Sequence, residues 1–326
     1  MISAALQSLL QPDLQRVEGF IRHALSTDVQ LLSAINASLR EHPGKMMRPM
    51  LGLLTARSLG GVTEDTLRIS AVVELLHNAS LLHDDVVDGA SERRGLPTLA
   101  SQMGGGPAVL IGDFWLVRSI PLILEVQHGR DRVLSISAGV LSSLAEGELL
   151  QMEKASSGDT REDDYLRIIR CKTAALFEAV CEMAALSVKA IEPLIQRATA
   201  FGRQIGMVFQ MKDDIFDYQD ASAALGKPVG IDLKEQKITL PLLCALEGCS
   251  EPEAKAVRTK MTRIAEEPEL AGEIRSFVVE RGGVALAEKR VQRELQRALD
   301  LLEGFPPSQE KDWLALVARH VAERNM

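Results

Sequence analysis

The sequence predicts an all-α fold built as one helical bundle, and three observations support this prediction. Between Leu67 and Leu82, apolar residues recur every three or four positions, the spacing of a helix that is buried on most sides. No stretch alternates apolar and polar residues as a half-buried strand does, and aromatic residues make up only 4% of the chain. No linker-like segment and no solenoid repeat divides the chain, so residues 1–326 are expected to form a single domain.

Glycine and proline mark the expected breaks between helices. Residues 104–107 read Gly-Gly-Gly-Pro and precede an apolar helix predicted for residues 108–126, which Pro121 is expected to kink or divide. Further breaks are expected at residues 156–159 (a connector), 191–193 (the start of a helix) and 225–230 (a flexible loop).

Composition excludes several classes of protein. A formal net charge of −8 argues against nonspecific nucleic-acid binding, which needs an excess of Lys and Arg. Hydrophobic residues make up 46% of the chain, but no uninterrupted run reaches the roughly 18 to 20 apolar residues of a membrane span. We therefore expect a protein that does not span a membrane and, because the first residues resemble no secretory or transit signal, a cytoplasmic one. The four cysteines form no C-x-x-C pair, so a zinc site is disfavoured.

Two acidic patterns stand out within stretches that otherwise read as buried helix. The first aspartate group is Asp84, Asp85 and Asp88, and the second is Asp213, Asp214 and Asp217. On a helix, residues three and four positions apart share a face, and like charges at that spacing cost roughly 0.2–0.5 kcal/mol per pair. A compensating cation is therefore expected, and carboxylates without nearby thiols favour magnesium, which also binds substrate phosphates.

Basic residues occur in the segments near these groups. They are Lys45 and Arg48, then Arg93 and Arg94, and further along the chain Lys172, Lys227 and Lys237. Arginine can bind two phosphate oxygens at once and lysine supplies a mobile charge, so this set could hold a diphosphate. The sequence contains neither a P-loop nor a dinucleotide-binding glycine pattern.

The order of these motifs resembles the trans-isoprenyl diphosphate synthases, also called polyprenyl synthetases. Between about residues 44 and 241, the shared motifs are Gly-Lys-x-x-Arg-Pro, the first aspartate group with Arg93-Arg94-Gly95, Gly112-Asp113-Phe114, Glu146-Gly147-Glu148, Lys172-Thr173, Phe209-Gln210 with the second aspartate group, and Lys227 through Thr239-Leu240-Pro241. The resemblance implies an isoprenoid synthase bundle, usually homodimeric. In such a bundle the two aspartate groups face each other across a central cavity and share about three magnesium ions with an allylic diphosphate.

The resemblance also implies a role for each matching residue. Asp84, Asp88 and Asp213 would be direct metal ligands, supported by Asp85, Asp214 and Asp217. Arg93, Lys172, Lys227 and Lys237 would hold the allylic diphosphate (geranyl, farnesyl or geranylgeranyl), and Lys45, Arg48, His77 and Arg94 would hold isopentenyl diphosphate. Thr173 and Gln210 would line the path of the nascent carbocation, with Lys172 and Lys227 completing the catalytic set. Asp232 would lie near the metal ions, and Arg324 is a candidate cap for the isopentenyl site.

Product length is expected to depend on the residues that precede Asp84 on its helix. Ala79, Ser80 and Leu76 lie one and two turns earlier and should line the tunnel into which the product grows. A Phe or Tyr at position 79 or 80 would close this tunnel, as in short-chain relatives, whereas Ala79 and Ser80 leave it open. We therefore expect a medium or long all-trans polyprenyl diphosphate, such as a quinone side-chain precursor; a farnesyl or geranylgeranyl diphosphate synthase is the alternative.

One departure from the family pattern keeps two other functions open. Family members commonly have an Arg immediately after the Lys of the first basic motif, where this chain has Met46. A regulatory subunit of a heteromeric synthase would keep the fold, although such subunits typically lose an aspartate group. A terpene cyclase would use the same ionisation but would not need Lys45, Arg48 and Arg94.

Overall fold

The computed structural model describes residues 4–41, 44–93, 95–219 and 230–324. Within these ranges the chain is helical apart from one short hairpin, in which Glu92–Arg93 (β1) pairs antiparallel with Leu96–Pro97 (β2). The predicted all-α class is confirmed.

The helices follow one another with short connections. In chain order they are α1 Ala4–Ala24, α2 Gln30–Glu41, α3 Met47–Leu59, α4 Glu64–Val87, α5 Leu99–Met103, α6 Gly105–Leu124, α7 Arg130–Ser157, α8 Glu162–Ile169, a π-helical turn Arg170–Ala174, α9 Ala175–Ser187, α10 Glu192–Phe216, α11 Ile231–Lys234, α12 Leu240–Leu246, α13 Glu251–Arg263, α14 Leu270–Glu280, α15 Gly283–Leu302 and α16 Gln309–Glu323.

Helix α4 is central to the first of two compact units, which comprises residues 1–141, 176–202 and 304–314. It packs against α1, α3 and α6. Thr63 caps its amino end, because its Oγ1 accepts a 3.1 Å hydrogen bond from the Thr66 amide while the Thr66 hydroxyl accepts one from the Thr63 amide. The apolar residues of α4 from Leu67 to Ala79 are at most 1% exposed, which confirms the helix expected between Leu67 and Leu82.

The second unit comprises residues 142–175, 203–303 and 315–326. Helix α12 packs against α15 and α14, and α8 leads directly into the π-helical turn. Leu240, Leu242 and Val291 belong to its buried core. That residues 1–326 form one domain stays a prediction.

The break expected at residues 104–107 is shorter in the structure, because α6 already begins at Gly105 and includes Pro107 in its first turn, where proline is tolerated. The helix continues through Pro121 to Leu124, so Pro121 does not divide it. Helix α7 ends at Ser157, within the expected connector of residues 156–159, and α10 begins at Glu192, within the expected start at 191–193. Of the loop expected at 225–230, only Gly230 belongs to the described residues.

Two helices in the described ranges, α6 and α7, are long and apolar enough to cross a membrane by length and composition. In the most apolar 18-residue segment of each helix, 39% of the residues of α6 and 22% of those of α7 are buried. Core helices of soluble proteins also meet these criteria of length and composition. Asp113 and Arg118 lie within α6 and interrupt its apolar run. The expectation that the chain does not span a membrane stays a prediction.

Candidate active site

The first aspartate group lies at the carboxyl end of α4, which is the negative end of the helix macrodipole. Asp84 and Asp85 belong to the last turn, and Asp88 is the exposed C-cap residue. A carboxylate at that end of a helix costs about 0.3–1 kcal/mol unless a cation compensates for it. This location therefore favours a cation-binding site.

Arg93 reaches the first aspartate group from the short hairpin. Its Nε donates a 2.6 Å hydrogen bond to Oδ1 of Asp85, whose side chain is buried. Burial raises the pKa of the Asp85 carboxyl, although the bond to Arg93 opposes this effect. The structure thus places Arg93 beside the aspartates as predicted, whereas Arg94 lies outside the described residues.

Lys45 and Arg48 flank the start of α3. Lys45 is exposed, and the guanidinium of Arg48 lies 4.7 Å from the centroid of the Phe177 ring. Met46, between them, has a φ of +49°, a left-handed conformation that residues other than glycine seldom adopt. Such a backbone costs about 1–3 kcal/mol and is typical of ligand-binding segments. His77 is half-buried on α4, about two turns before Asp84.

The residues expected to set product length occupy different environments on α4. Ala79 and Leu76 are 0% and 1% exposed, and Ser80 is half-buried with its hydroxyl donating to the His77 carbonyl at 2.9 Å. A cavity of about 790 Å³ does lie beside α4, but on another face of the helix. From α4 it is lined by Asn78, Leu81, Leu82 and Asp85, and from other elements chiefly by Ile35, Leu39, Arg93, Leu99, Met103 and Trp115.

His83, immediately before Asp84, belongs to the packing of α4 on α6. Its Nε2 lies 3.2 Å from the Val109 carbonyl oxygen and 3.3 Å from Oδ1 of Asp113. A Cβ atom at Gly112 would lie 2.4 Å from the same nitrogen. The Gly-Asp motif therefore makes room for the histidine ring next to the first aspartate group.

The second aspartate group lies at the carboxyl end of α10 and so repeats the first in its relation to a helix dipole. Asp213 is half-buried and Asp214 is buried in the last turn, while Asp217 directly follows the final residue, Phe216. Again the middle aspartate is the buried one.

Asp214 is held at both of its oxygens by neutral donors. Tyr165 donates its hydroxyl to Oδ2 at 2.7 Å, and Nε2 of Gln210 donates to Oδ1 at 2.8 Å. Oε1 of Gln210 in turn accepts a 2.6 Å hydrogen bond from the Thr173 hydroxyl. Burial raises the pKa of Asp214 to about 7, although both hydrogen bonds lower it.

Asp217 organises the backbone that follows the second group. Its Oδ1 accepts hydrogen bonds from the amides of Gly230 and Ile231 at 3.1 and 3.0 Å, and its Oδ2 accepts one from Asp232 at 3.0 Å. Both oxygens are therefore bonded to the first amides of α11, a capping function that the spacing of the aspartates did not predict.

Lys172 and Thr173 lie on the π-helical turn between α8 and α9. Single π turns within α-helices occur frequently at functional sites. A Cβ atom at Gly147 would lie 2.7 Å from Cβ of Cys171, so the Glu-Gly-Glu motif of α7 permits close approach to this turn. Glu148 of that motif forms an ion pair with Lys172.

A cavity of about 150 Å³ in the second unit brings several predicted residues together. Its lining includes the sequence-predicted Lys172, Thr173, Gln210, Asp214, Asp232 and Lys237, and also Tyr165, which sequence reasoning did not identify. Burial raises the pKa of Asp232 well above its usual range, and the charges of Asp214 and Asp217 add to this effect. Lys227 lies outside the described residues.

Arg324 contacts the second aspartate group, and its expected role as a cap of the isopentenyl site stays a prediction. Its Nη2 donates 2.7 Å hydrogen bonds to Oδ1 of Asp213 and to the Phe209 carbonyl oxygen. Its guanidinium also lies 3.9 Å from the centroid of the Phe209 ring. In this structure Arg324 therefore neutralises an aspartate that was expected to be a direct metal ligand.

The described ranges contain no cluster of three or more His, Cys, Asp or Glu side chains arranged to hold a metal ion without further ligands. The donors present in both groups are carboxylate oxygens, which fit a hard cation such as magnesium or calcium.

Comparison with known proteins identifies the family to which these features belong. Residues 29–278 match the model of the family described as polyprenyl synthetase. The chain belongs to the polyprenyl synthetase family. It is therefore a prenyltransferase, as the resemblance predicted.

Relatives match this family member over almost its whole length. Octaprenyl diphosphate synthase of Haemophilus influenzae is 36% identical over 98% of this chain and 96% of its own length. A solved decaprenyl diphosphate synthase from Rhodobacter capsulatus is 33% identical, with a TM-score of 0.90 and 98% of each chain covered. A polyprenyl synthase from Caulobacter crescentus, solved with calcium and isoprenyl diphosphate, is 31% identical, with a TM-score of 0.88 and 98% and 97% of the chains covered. These findings confirm the family and fold, while the roles of individual residues stay predictions.

Proposed function

We propose that this chain is a magnesium-dependent prenyltransferase that joins isopentenyl diphosphate to an allylic diphosphate in successive 1'-4 head-to-tail steps. The proposal depends chiefly on two carboxylate groups, each at the negative end of a long helix, in a member of the polyprenyl synthetase family. A site with few protein ligands suits magnesium, because this ion commonly takes water and phosphate oxygens as its other ligands.

The basic residues hold the two substrates and stabilise charge. Arg93, Lys172 and Lys237 bind the allylic diphosphate, and Lys45, Arg48 and His77 bind isopentenyl diphosphate. Magnesium, when bound, neutralises the negative charge that the leaving diphosphate gains as the allylic carbon–oxygen bond breaks. Fixed lysines stabilise that developing charge more than they stabilise the intact substrate, which lowers the barrier to ionisation.

The new carbon–carbon bond forms when the double bond of isopentenyl diphosphate attacks the allylic cation. Thr173 and Gln210 lie along the path of this cation. A proton is then lost to the released diphosphate, because no side chain at the site is an obvious dedicated base. The apolar helices exclude water, which would quench the cation.

The decisive assay incubates the purified chain with labelled isopentenyl diphosphate and geranyl, farnesyl or geranylgeranyl diphosphate, with and without magnesium. Magnesium-dependent elongation with any of these primers is the expected result. If elongation requires a second, different subunit, the chain is a component of a heteromeric synthase, as is the 34% identical "Heptaprenyl diphosphate synthase component 2" of Geobacillus stearothermophilus by its name. A cyclic hydrocarbon formed without isopentenyl diphosphate would identify a cyclase.

We propose a medium or long product because Ala79 and Ser80 are small and the similar relatives include octaprenyl and nonaprenyl diphosphate synthases. Two faces of α4 are candidates for the surface that limits the length of the growing product. One carries Ala79, and the other carries Leu82 and borders the larger cavity. Ala79→Tyr should shorten the product, as measured by mass spectrometry, whereas Leu82→Phe should not. Shortening by Leu82→Phe alone would instead assign the growing chain to the cavity.

We propose that the protein is a homodimer that associates through α6. Leu110, Val117 and Leu124 recur every seven residues on this helix and are 70%, 60% and 54% exposed, so they form one apolar stripe. A stripe of this kind on one subunit can bury its counterpart on a second copy of the same chain across a twofold axis.

Sedimentation of a variant with Val117→Lys and Leu124→Lys tests the homodimer. The wild type should sediment as a dimer and the variant as a monomer, while Leu31→Lys, which replaces an exposed leucine on α2, should leave the dimer intact. A monomeric wild type, or one whose stripe binds lipid vesicles instead, would contradict the proposal.

A further inference from the structure

Tyr165 has a buried hydroxyl that the proposed reaction does not use. It lies on α8, and its hydroxyl donates to Oδ2 of Asp214 across 49 residues of chain. The side chain also lines the same cavity as Lys172 and Lys237, two of the three lysines expected to hold the allylic diphosphate.

The bond from Tyr165 completes a directed set of hydrogen bonds. The Thr173 hydroxyl donates to Oε1 of Gln210, which leaves the Gln210 amide nitrogen to donate to Oδ1 of Asp214. Asp214 therefore accepts from Gln210 at one oxygen and from Tyr165 at the other. With both oxygens bonded, rotation of the Asp214 carboxylate would break at least one hydrogen bond in a buried site.

The phenol is suited to act only as a donor. Burial and the neighbouring Asp214 carboxylate raise the pKa of Tyr165 well above its usual range, so the hydroxyl keeps its proton. Removing this hydroxyl would leave Oδ2 of Asp214 buried without its donor, and the bond from Gln210 alone would then hold the carboxylate.

We propose that Tyr165 is a positioning residue that fixes Asp214 and, through it, the orientation of the Gln210 amide and the Thr173 hydroxyl in the cavity. This inference rests on the proposed function, because Gln210 and Thr173 are expected to line the path of the allylic cation. Tyr165 itself need not touch the substrate. Its loss should lower kcat and weaken diphosphate binding while leaving the KM for isopentenyl diphosphate almost unchanged.

The chain contains only two tyrosines, which provides a matched control. Tyr218 is also buried, directly after Asp217, but its hydroxyl makes no hydrogen bond to an aspartate among the described residues. Tyr165→Phe and Tyr218→Phe each remove one buried hydroxyl and keep the aromatic ring. Only the first removes a donor to Asp214.

The first measurement is the affinity for inorganic pyrophosphate in the presence of magnesium, determined by calorimetry. Tyr165→Phe should weaken binding about tenfold or more, because Asp214 is then no longer fixed in the cavity that holds the diphosphate, and Tyr218→Phe should change it by less than about twofold. In elongation assays Tyr165→Phe should lower kcat by about tenfold or more, with the KM for isopentenyl diphosphate within about twofold of wild type. If both variants fold and behave alike in both measurements, the inference is wrong.

A ligand-free measurement separates this inference from the proposed function. With ¹³C at the ζ carbon of tyrosine, the chain should give two resonances, which the two variants assign. Asp214→Asn should shift the Tyr165 resonance more than the Tyr218 resonance, and an equal or smaller shift would exclude the hydrogen bond. A wild type that neither binds pyrophosphate nor elongates would refute the proposed function, whatever the resonances show.

Discussion

The two aspartate groups share a design but differ in how they are held. In each, the first aspartate (Asp84 or Asp213) is half-buried, the second (Asp85 or Asp214) is buried, and all lie at the carboxyl end of a long helix. Asp85 accepts from a cation, Arg93, on a short hairpin. Asp214 accepts from two neutral donors, and this difference leaves its charge less compensated.

The last aspartates differ more. Asp88 is exposed at the end of α4, whereas both oxygens of Asp217 accept hydrogen bonds from backbone amides at the start of α11. The first group is therefore more open to an incoming ligand, and the second is already part of a hydrogen-bonded framework. The comparison predicts that the groups are equivalent in function but unequal in their contribution to stability.

The largest expected effect tests whether the two aspartate groups are equivalent in function. Asp84→Asn and Asp213→Asn should each lower the elongation rate by roughly a thousandfold, because each removes a carboxylate that stabilises charge in the transition state. Rates measured at saturating magnesium test this, with Asp131→Asn, an exposed aspartate in the first turn of α7, as a control outside both groups. Activity close to wild type in either variant would break the equivalence.

The next effect concerns stability. Asp217→Ala should lower the free energy of unfolding by about 3 kcal/mol, because three backbone amides lose their acceptor. Asp88→Ala should change it by less than about 0.5 kcal/mol, since the side chain is exposed. Urea unfolding measures both values, and equal losses would show that the two positions are not held differently.

A smaller effect should depend on pH. The pKa of Asp214 is about 7 in the folded chain and about 3.8 in the unfolded one, so the folded state binds the proton more tightly. The free energy of unfolding of the metal-free protein should therefore fall as pH rises from about 4 to 7. Asp214→Asn should remove the part of this loss that comes from Asp214, and an unchanged pH dependence in the variant would contradict it.

The sequence predicted those features that depend on local spacing. The helical period of α4 and the two aspartate groups follow from residues near one another in the chain. Tyr165 could not be found in this way, and the contact of Arg324 with Asp213 was not predicted, because the aspartate partners are 49 and 111 residues away. The π turn at Lys172 lies against Gly147 of α7, a contact for which the sequence shows only a glycine between two glutamates.

The central claim of the proposed function is that binding of a metal–diphosphate ligand requires both aspartate groups. Calorimetric titration of inorganic pyrophosphate in the presence of magnesium tests it most directly, with wild type, Asp84→Asn and Asp213→Asn compared under identical conditions. We expect each single substitution to weaken pyrophosphate binding by about a hundredfold, roughly 2.7 kcal/mol. Retention of wild-type affinity by either variant would show that one group alone binds the ligand and would contradict the claim.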